Sequence, residues 1–156
     1  MRVCVLLLEG TNCEEESAAY FRFLGAQAEK VHLKQLTGEA PPEFRRRLSD
    51  YDVLFLPGGF ANGDYVRAGA IFAARMKSKL AAELDDFVAS GRPVLGVCNG
   101  FQVLVEAGML PALRARITDT PEAVLATNDS AHYECRPSYL KHENGGSCAF
   151  TRRLKK

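Results

Sequence analysis

Apolar residues fall in short blocks separated by polar, glycine-punctuated stretches, and the blocks alternate between strand-like runs and helix-like spacing. Val3 to Leu8 is a continuous apolar run of the kind that a parallel sheet covers on both faces. A turn at Glu9 and Gly10 follows, and Asn12 stands three residues before Glu15, as in a capping box, with Glu14, Glu15 and Glu16 suited to a helix N-terminus. The pattern predicts a helix from about Cys13 to Leu24, closed by Gly25, and a second strand over Ala26 to Leu33. Gly38, Pro41 and Pro42 mark a loop, with a short charged helix predicted near Glu43 to Leu48 and a third strand over Val53 to Leu56. From Ala70 to Val88, Phe72, Met76, Leu80, Leu84 and Phe87 recur at helical spacing, a stripe that reads as core. The turn Ser90-Gly91-Arg92 leads into a fourth strand, Pro93 to Val97, and a helix from Phe101 to Ala107 ends at Gly108.

Strand and helix thus alternate with short connections, which implies right-handed crossovers and an open, doubly wound, mostly parallel α/β sheet. Past Pro111 the signal changes. Arg114 to Ala131 reads as an irregular excursion with one helical turn after Pro121. Tyr133 to Lys141 is expected as a strand, with Asn144 to Ser147 as turn and Cys148 to Thr151 as its hairpin partner.

Composition narrows the class. With 156 residues, 47% hydrophobic and 25% charged, the chain is long enough for one domain, 1–156, with its own core. Twenty basic against nineteen acidic side chains leave a net charge of +1, without the electrostatic footprint of a nucleic-acid or membrane-surface binder. No apolar run approaches the roughly 18 residues of a membrane span, and Met1 leads straight into the first strand without a charged leader, so a cytoplasmic location is expected. Cys4, Cys13, Cys98, Cys135 and Cys148 are odd in number and contain no C-x-x-C pair, which argues against a disulfide framework and against a zinc site; no metal is expected.

Local context singles out one of these cysteines. In V-L-G-V-C-N-G-F, residues 94 to 101, Cys98 lies between an apolar strand and a helix, with Gly96 and Gly100 two positions to either side. This is the form of a nucleophile elbow with Cys in place of Ser. A strand that turns sharply into a helix brings backbone so close to the nucleophile that neighbouring side chains would clash. The positive end of the helix dipole favours an anion at this position. Attack on a carbonyl also needs donors for the developing oxyanion. The Asn99 backbone N–H, next to Cys98, is one candidate. Leu56-Pro57-Gly58-Gly59-Phe60, at the carboxyl end of the third strand, offers a second in a glycine-rich loop. No G-x-G-x-x-G or Walker-type phosphate loop occurs.

With these motifs in place the chain resembles the class I glutamine amidotransferases, a flavodoxin-like α/β family, and within them the glutaminase subunits of phosphoribosylformylglycinamidine synthases. The matching stretches are E-G-T-N-C-E at 9 to 14, L-P-G-G-F-A-N-G-D-Y-V-R-A-G-A-I at 56 to 71, P-V-L-G-V-C-N-G-F-Q-V-L at 93 to 104 and Y-E-C-R-P at 133 to 137. The resemblance implies Cys98 as nucleophile, Gly59 and Asn99 as oxyanion donors, and Gly58, Phe60 and Gln102 as contacts to bound glutamine. It further implies that glutamine is hydrolysed through a cysteine thioester. Ammonia would pass to a synthetase subunit that holds ATP and magnesium and converts formylglycinamide ribonucleotide to the amidine, with a small accessory subunit in the complex. No cofactor is implied for this chain. Rival readings are a glutaminase of another pathway, such as that of pyridoxal phosphate synthesis, an intracellular-protease-like relative, or a non-catalytic partner-binding module; G-F-Q after Cys98 disfavours the first two.

One departure matters. The family completes its triad with a His-x-Glu element on a strand well beyond the 58 residues that follow Cys98 here. A chain shortened at its C-terminus is therefore expected, with the last strands incomplete, glutamine hydrolysed poorly by these 156 residues as they stand, and Phe101 and Leu104 left uncovered. His132 and Glu134 make an H-x-E pair on one face of the expected strand, but they belong to the Y-E-C-R-P stretch that the family carries in addition to its catalytic pair. His32 and His142 are expected at the surface, and Asp64 and Arg67 as polar contacts between a loop and a helix.

Overall fold

The computed structural model describes residues 1–143 and 147–154. The chain divides into two units, residues 1–125 and 126–156. In the first unit four strands, β1 (Arg2–Leu7), β2 (Gln27–His32), β3 (Val53–Leu56) and β4 (Val94–Gly96), form one parallel sheet in the order β2-β1-β3-β4. Register is set by Val3 opposite Ala28 and Val53, and by Leu54 opposite Val94. The helices are α1 (Glu14–Phe23), α2 (Leu33–Leu36), α3 (Ala70–Ala89) and α4 (Asn99–Glu106).

The period of two along each strand divides the core. Val3, Val5, Val53 and Phe55 face Ala18 and Phe21 of α1, and Phe21 meets Phe55 edge to face at 5.2 Å. Cys4, Leu6, Leu54 and Leu56 face the opposite side. There they pack on Phe72, Met76, Leu80, Leu84 and Phe87 of α3 and on Val103 and Leu104 of α4. The stripe read from the sequence is thus buried along its length, and both faces of the sheet are covered, as a doubly wound fold requires. Burial on the α3 side pushes the Cys4 thiol far above its ordinary range, so Cys4 is a core residue. Strand order reverses between β1 and β3, and in such sheets ligands bind outside the carboxyl ends of the strands near that point.

Several expectations are corrected. Asn12 does not cap α1: the N-cap is Cys13, in a left-handed conformation and without a side-chain cap, while the Asn12 N–H is engaged with the Gly58 carbonyl at 2.9 Å. No helix spans 43 to 48. Pro42–Phe44 and Leu48–Asp50 are separate 3-10 turns, because the Arg46 N–H donates to the Gln35 carbonyl and the Gln35 amide to the Phe44 carbonyl, pinning an extended link. The sequence pattern missed α2, which His32 and Gln35 cap reciprocally. Leu104, expected uncovered, is buried, whereas Phe101 is exposed.

In the second unit, Tyr133 to Glu143 forms no strand and Cys148 to Arg153 is turn rather than a hairpin arm. A strand exists only where a neighbour accepts its hydrogen bonds, and alternation alone supplies none. At the end of the first unit, no helical turn follows Pro121. Asn144, Gly145 and Gly146, expected as the hairpin turn, lie outside the described residues. Among the described residues, no helix is long and apolar enough to cross a membrane, and no group of three or more His, Cys, Asp or Glu could hold a metal ion.

Candidate active site

Three loops meet at the carboxyl edge of the sheet: residues 8–13 after β1, 57–69 after β3 and 97–98 after β4. The last of these carries Cys98, the N-cap of α4, with φ 53° and ψ −115°. A residue with a Cβ rarely adopts such backbone, and strain of this kind collects where a side chain must be presented at a fixed angle. The two flanking glycines explain how the chain tolerates it. A Cβ on Gly96 would stand 2.6 Å from the Gly100 carbonyl carbon, and one on Gly100 would overlap the Leu56 carbonyl and lie 2.8 Å from the Pro57 oxygen. Strand, helix and the neighbouring loop are therefore in direct backbone contact around the exposed Cys98 thiol.

The β3 loop closes on the same point. A Cβ on Gly58 would lie 3.3 Å from the Cys98 Cβ and 3.7 Å from its Sγ, so Gly58 lines the thiol. Behind it the β1 loop acts as a template. Asn12 N–H donates to Gly58 O at 2.9 Å and Phe60 N–H to Gly10 O at 2.9 Å, closing an antiparallel bridge between Thr11 and Gly59. In a bridge closed by the flanking amides, the central pair directs its own N–H and C=O groups away from each other. Neither bond of the bridge uses the Gly59 N–H, and Gly59 stands at φ 120°, where a side chain would collide with Asn12 N at 2.5 Å. Phe60 is exposed beside it.

Asn99 has a buried side chain. Its Oδ1 accepts from Ala61 N–H at 3.2 Å, and its Nδ2 donates to the Asp64 carboxylate at 3.2 and 3.3 Å and to Gln102 Oε1 at 3.0 Å. The Gln102 oxygen is thus held by Asn99. Asp64 also accepts from Gly69 N–H at 3.1 Å, and Arg67 makes a two-pronged ion pair with Glu106 at 2.6 and 2.7 Å. Both are contacts between the β3 loop and the helices around it. The sequence signals neither Asn99 nor Asp64 as a network, since the bonds join residues 35 and 38 apart.

Glu9, in the β1 loop, gathers Lys34 at 3.0 Å, Arg75 at 3.3 Å and His32 at 3.6 Å. Its own backbone N–H and the Lys34 ammonium hold its carboxyl down at about 2. Burial pushes the His32 ring below its ordinary value, against the pull of Glu9. His32 Nδ1 accepts from Lys34 N–H, and the His142 ring meets the Thr151 hydroxyl at 3.1 Å. His132, in the second unit, receives Asn128 Nδ2 on its carbonyl, and Glu134 faces Arg136 at 4.0 Å.

The model described as the CobB/CobQ-like glutamine amidotransferase domain matches residues 1–156. The chain belongs to this glutamine amidotransferase family. It is 50% identical over 159 residues to phosphoribosylformylglycinamidine synthase subunit PurQ of Archaeoglobus fulgidus, covering 100% of this chain and 58% of that relative. The subunit of the same name from Picrophilus torridus is 41% identical over 140 residues, covering 90% of this chain and 52% of that relative. Among solved structures, PurLQS from Thermotoga maritima superposes with a TM-score of 0.57 at 31% identity, over 71% of this chain and 46% of that one. The chain spans about half the length of the curated relatives it matches.

Proposed function

We propose that this amidotransferase domain carries the nucleophile and oxyanion site of the glutaminase subunit of a phosphoribosylformylglycinamidine synthase. The observation that carries the reading is Cys98 itself, held at φ 53° and ψ −115° against Gly58 at the carboxyl edge of the sheet. In this reading the Cys98 thiolate attacks the side-chain carboxamide carbon of glutamine. The carbonyl oxygen takes up negative charge and is met by the N–H groups of Gly59 and Asn99. The C–N bond then breaks, ammonia leaves with an added proton, and a γ-glutamyl thioester remains on Cys98. Water hydrolyses that thioester to glutamate and frees the thiol. Gly58, Phe60 and Gln102 border the glutamine, with Gly58 leaving room beside the thiol.

Ammonia passes to a synthetase subunit that holds ATP and magnesium and aminates formylglycinamide ribonucleotide, with a small accessory subunit in the same complex. The names of the relatives, and the PurLQS complex to which the fold is similar, support that partnership. The proton transfers belong to the family's His-x-Glu element. His132 and Glu134 are not assigned to it, since their stretch resembles the segment that the family carries besides its catalytic pair.

Replacing Cys98 by Ser in the complex with the synthetase tests the proposal. Glutamine-dependent amidine formation should be lost while ammonia-dependent formation persists, because the synthetase needs ammonia whatever its origin. Retention of glutamine-dependent turnover in Cys98→Ser would overturn the assignment.

A further inference from the structure

The two N–H groups assigned to the oxyanion stand on different elements, Gly59 in the loop after β3 and Asn99 at the first residue of α4, so their separation is not fixed by either element alone. Between them the β3 loop makes an unusual excursion. Asn62, at φ 52° and ψ 33°, Gly63, at φ 66° and ψ 10°, and Asp64, at φ 50°, form three successive left-handed residues. Asn and Asp tolerate this region better than other residues with side chains, yet each visit is unfavourable and persists only where surrounding contacts hold it.

The holding contacts converge on one side chain. Asn99 Oδ1 accepts a hydrogen bond from the Ala61 N–H at the start of the left-handed turn, and Asn99 Nδ2 donates one to the Asp64 carboxylate at its end. Asp64 in turn accepts from Gly69 N–H, at the N-cap of α3. Gly69 has no room for a side chain: a Cβ there would lie 2.7 Å from Val103 N in α4. The elbow helix, the left-handed turn and the start of α3 are therefore tied together through one carboxylate and one buried amide. Asp64 grips the side chain of the residue whose backbone N–H follows the nucleophile.

We propose that Asp64 is a positioning residue, which through the buried Asn99 amide sets the spacing of the Gly59 and Asn99 N–H groups. The inference rests on the glutaminase reading above. Oxyanion donors act on charge that develops in the transition state, and a donor misplaced by about 1 Å costs on the order of a hundredfold in rate. Loss of the Asp64 carboxylate should thus fall on kcat and spare the KM for glutamine.

The decisive variant is Asp64→Gly, assayed in the full-length subunit with its synthetase. Glycine adopts the left-handed conformation freely, so this change removes the carboxylate while keeping the turn. The expected result is a kcat for glutamine-dependent turnover reduced roughly 10- to 100-fold, a KM within about threefold, and unchanged ammonia-dependent turnover. Asp64→Asn retains an acceptor for Gly69 and Asn99 and should restore most of the rate. An Asp64→Gly protein with full kcat, or with only a raised KM, overturns the proposal. Should the glycine variant fail to fold, Asn99→Leu carries the same expectation for kcat, because it removes the amide and leaves the residue-99 N–H, while its KM is free to rise since the Gln102 oxygen is released as well; full kcat there overturns the proposal equally. Cys98→Ser, assayed alongside, separates the two readings. If it keeps glutamine turnover, the glutaminase assignment itself fails; if it is inactive while Asp64→Gly is fully active, only the positioning role fails.

Discussion

A Cβ placed on Gly58 would stand 3.3 Å from the Cβ of Cys98, nearer than side chains ordinarily pack, and 3.7 Å from the sulfur. Gly58 does not have a left-handed φ, so the backbone itself accepts alanine. Gly58→Ala should therefore fold and melt within a few degrees of the parent while pressing on the thiol. The expected outcome is alkylation of Cys98 by iodoacetamide slowed about tenfold or more, a change of roughly 1.4 kcal/mol in barrier. Unchanged labelling would mean that the loop yields and that Gly58 does not shape access to the sulfur.

Gly100 is the opposite case, because its missing side chain faces rigid backbone. A Cβ there would overlap the Leu56 carbonyl, and neither β3 nor α4 can withdraw without giving up core contacts of Leu56 and Leu104. Gly100→Val should destabilise the domain by about 3 kcal/mol or more, read as a lower urea midpoint at unchanged m-value. A valine variant with parental stability would remove the close strand-to-helix approach from the description of the site.

How much of this was legible beforehand depends on the distance in sequence over which each feature is encoded. Val53–Leu56 and the stripe from Phe72 to Phe87 are local periodicities, and the structure buries both where the pattern puts them. The elbow at Cys98 is equally local, with both glycines within two residues. The left-handed turn at Asn62 to Asp64 and the Asn99 network were not legible, since they depend on partners in another loop brought close only by β3 pairing with β4. α2 was missed because four residues are too few for helical spacing to register. The expected strand at Tyr133 to Lys141 failed for the complementary reason: alternation describes which faces a strand would present, and says nothing about whether an edge receives it.

Glu9 gives a pH signature. Its folded-state carboxyl, held at about 2 by its own N–H and by Lys34 against an ordinary value of 4.5, contributes stability that is complete above pH about 4.5. That contribution is lost as the pH falls toward 2, because the unfolded state then binds the proton first. With the side chain half exposed, solvent screening keeps the contribution to about 1 kcal/mol or less. Glu9→Gln should be less stable than the parent by this amount in urea titrations at pH 7, and the gap should close by about pH 2. A gap that persists unchanged into acid would show that the Lys34, Arg75 and His32 contacts do not stabilise the fold through charge.

Arg67 and Glu106 supply the last prediction. Both guanidinium prongs reach the carboxylate, at 2.6 and 2.7 Å, and the pair joins the β3 loop to the end of α4. Glu106 is nearly buried, with 9% of its side chain accessible, whereas Arg67 is 58% accessible. That asymmetry sets the cost of each truncation. Removing Arg67 strands a desolvated carboxylate, while removing Glu106 frees an arginine that water can solvate. Arg67→Ala should therefore cost more than Glu106→Ala, by about 1 kcal/mol, and Arg67→Lys should recover little, since an ammonium cannot reproduce the two-pronged contact. The double variant should be less destabilised than the sum of the singles, with a coupling of about 1 kcal/mol in urea unfolding. Strict additivity would mean that the two side chains meet without interacting, and that other contacts seat the loop on α4.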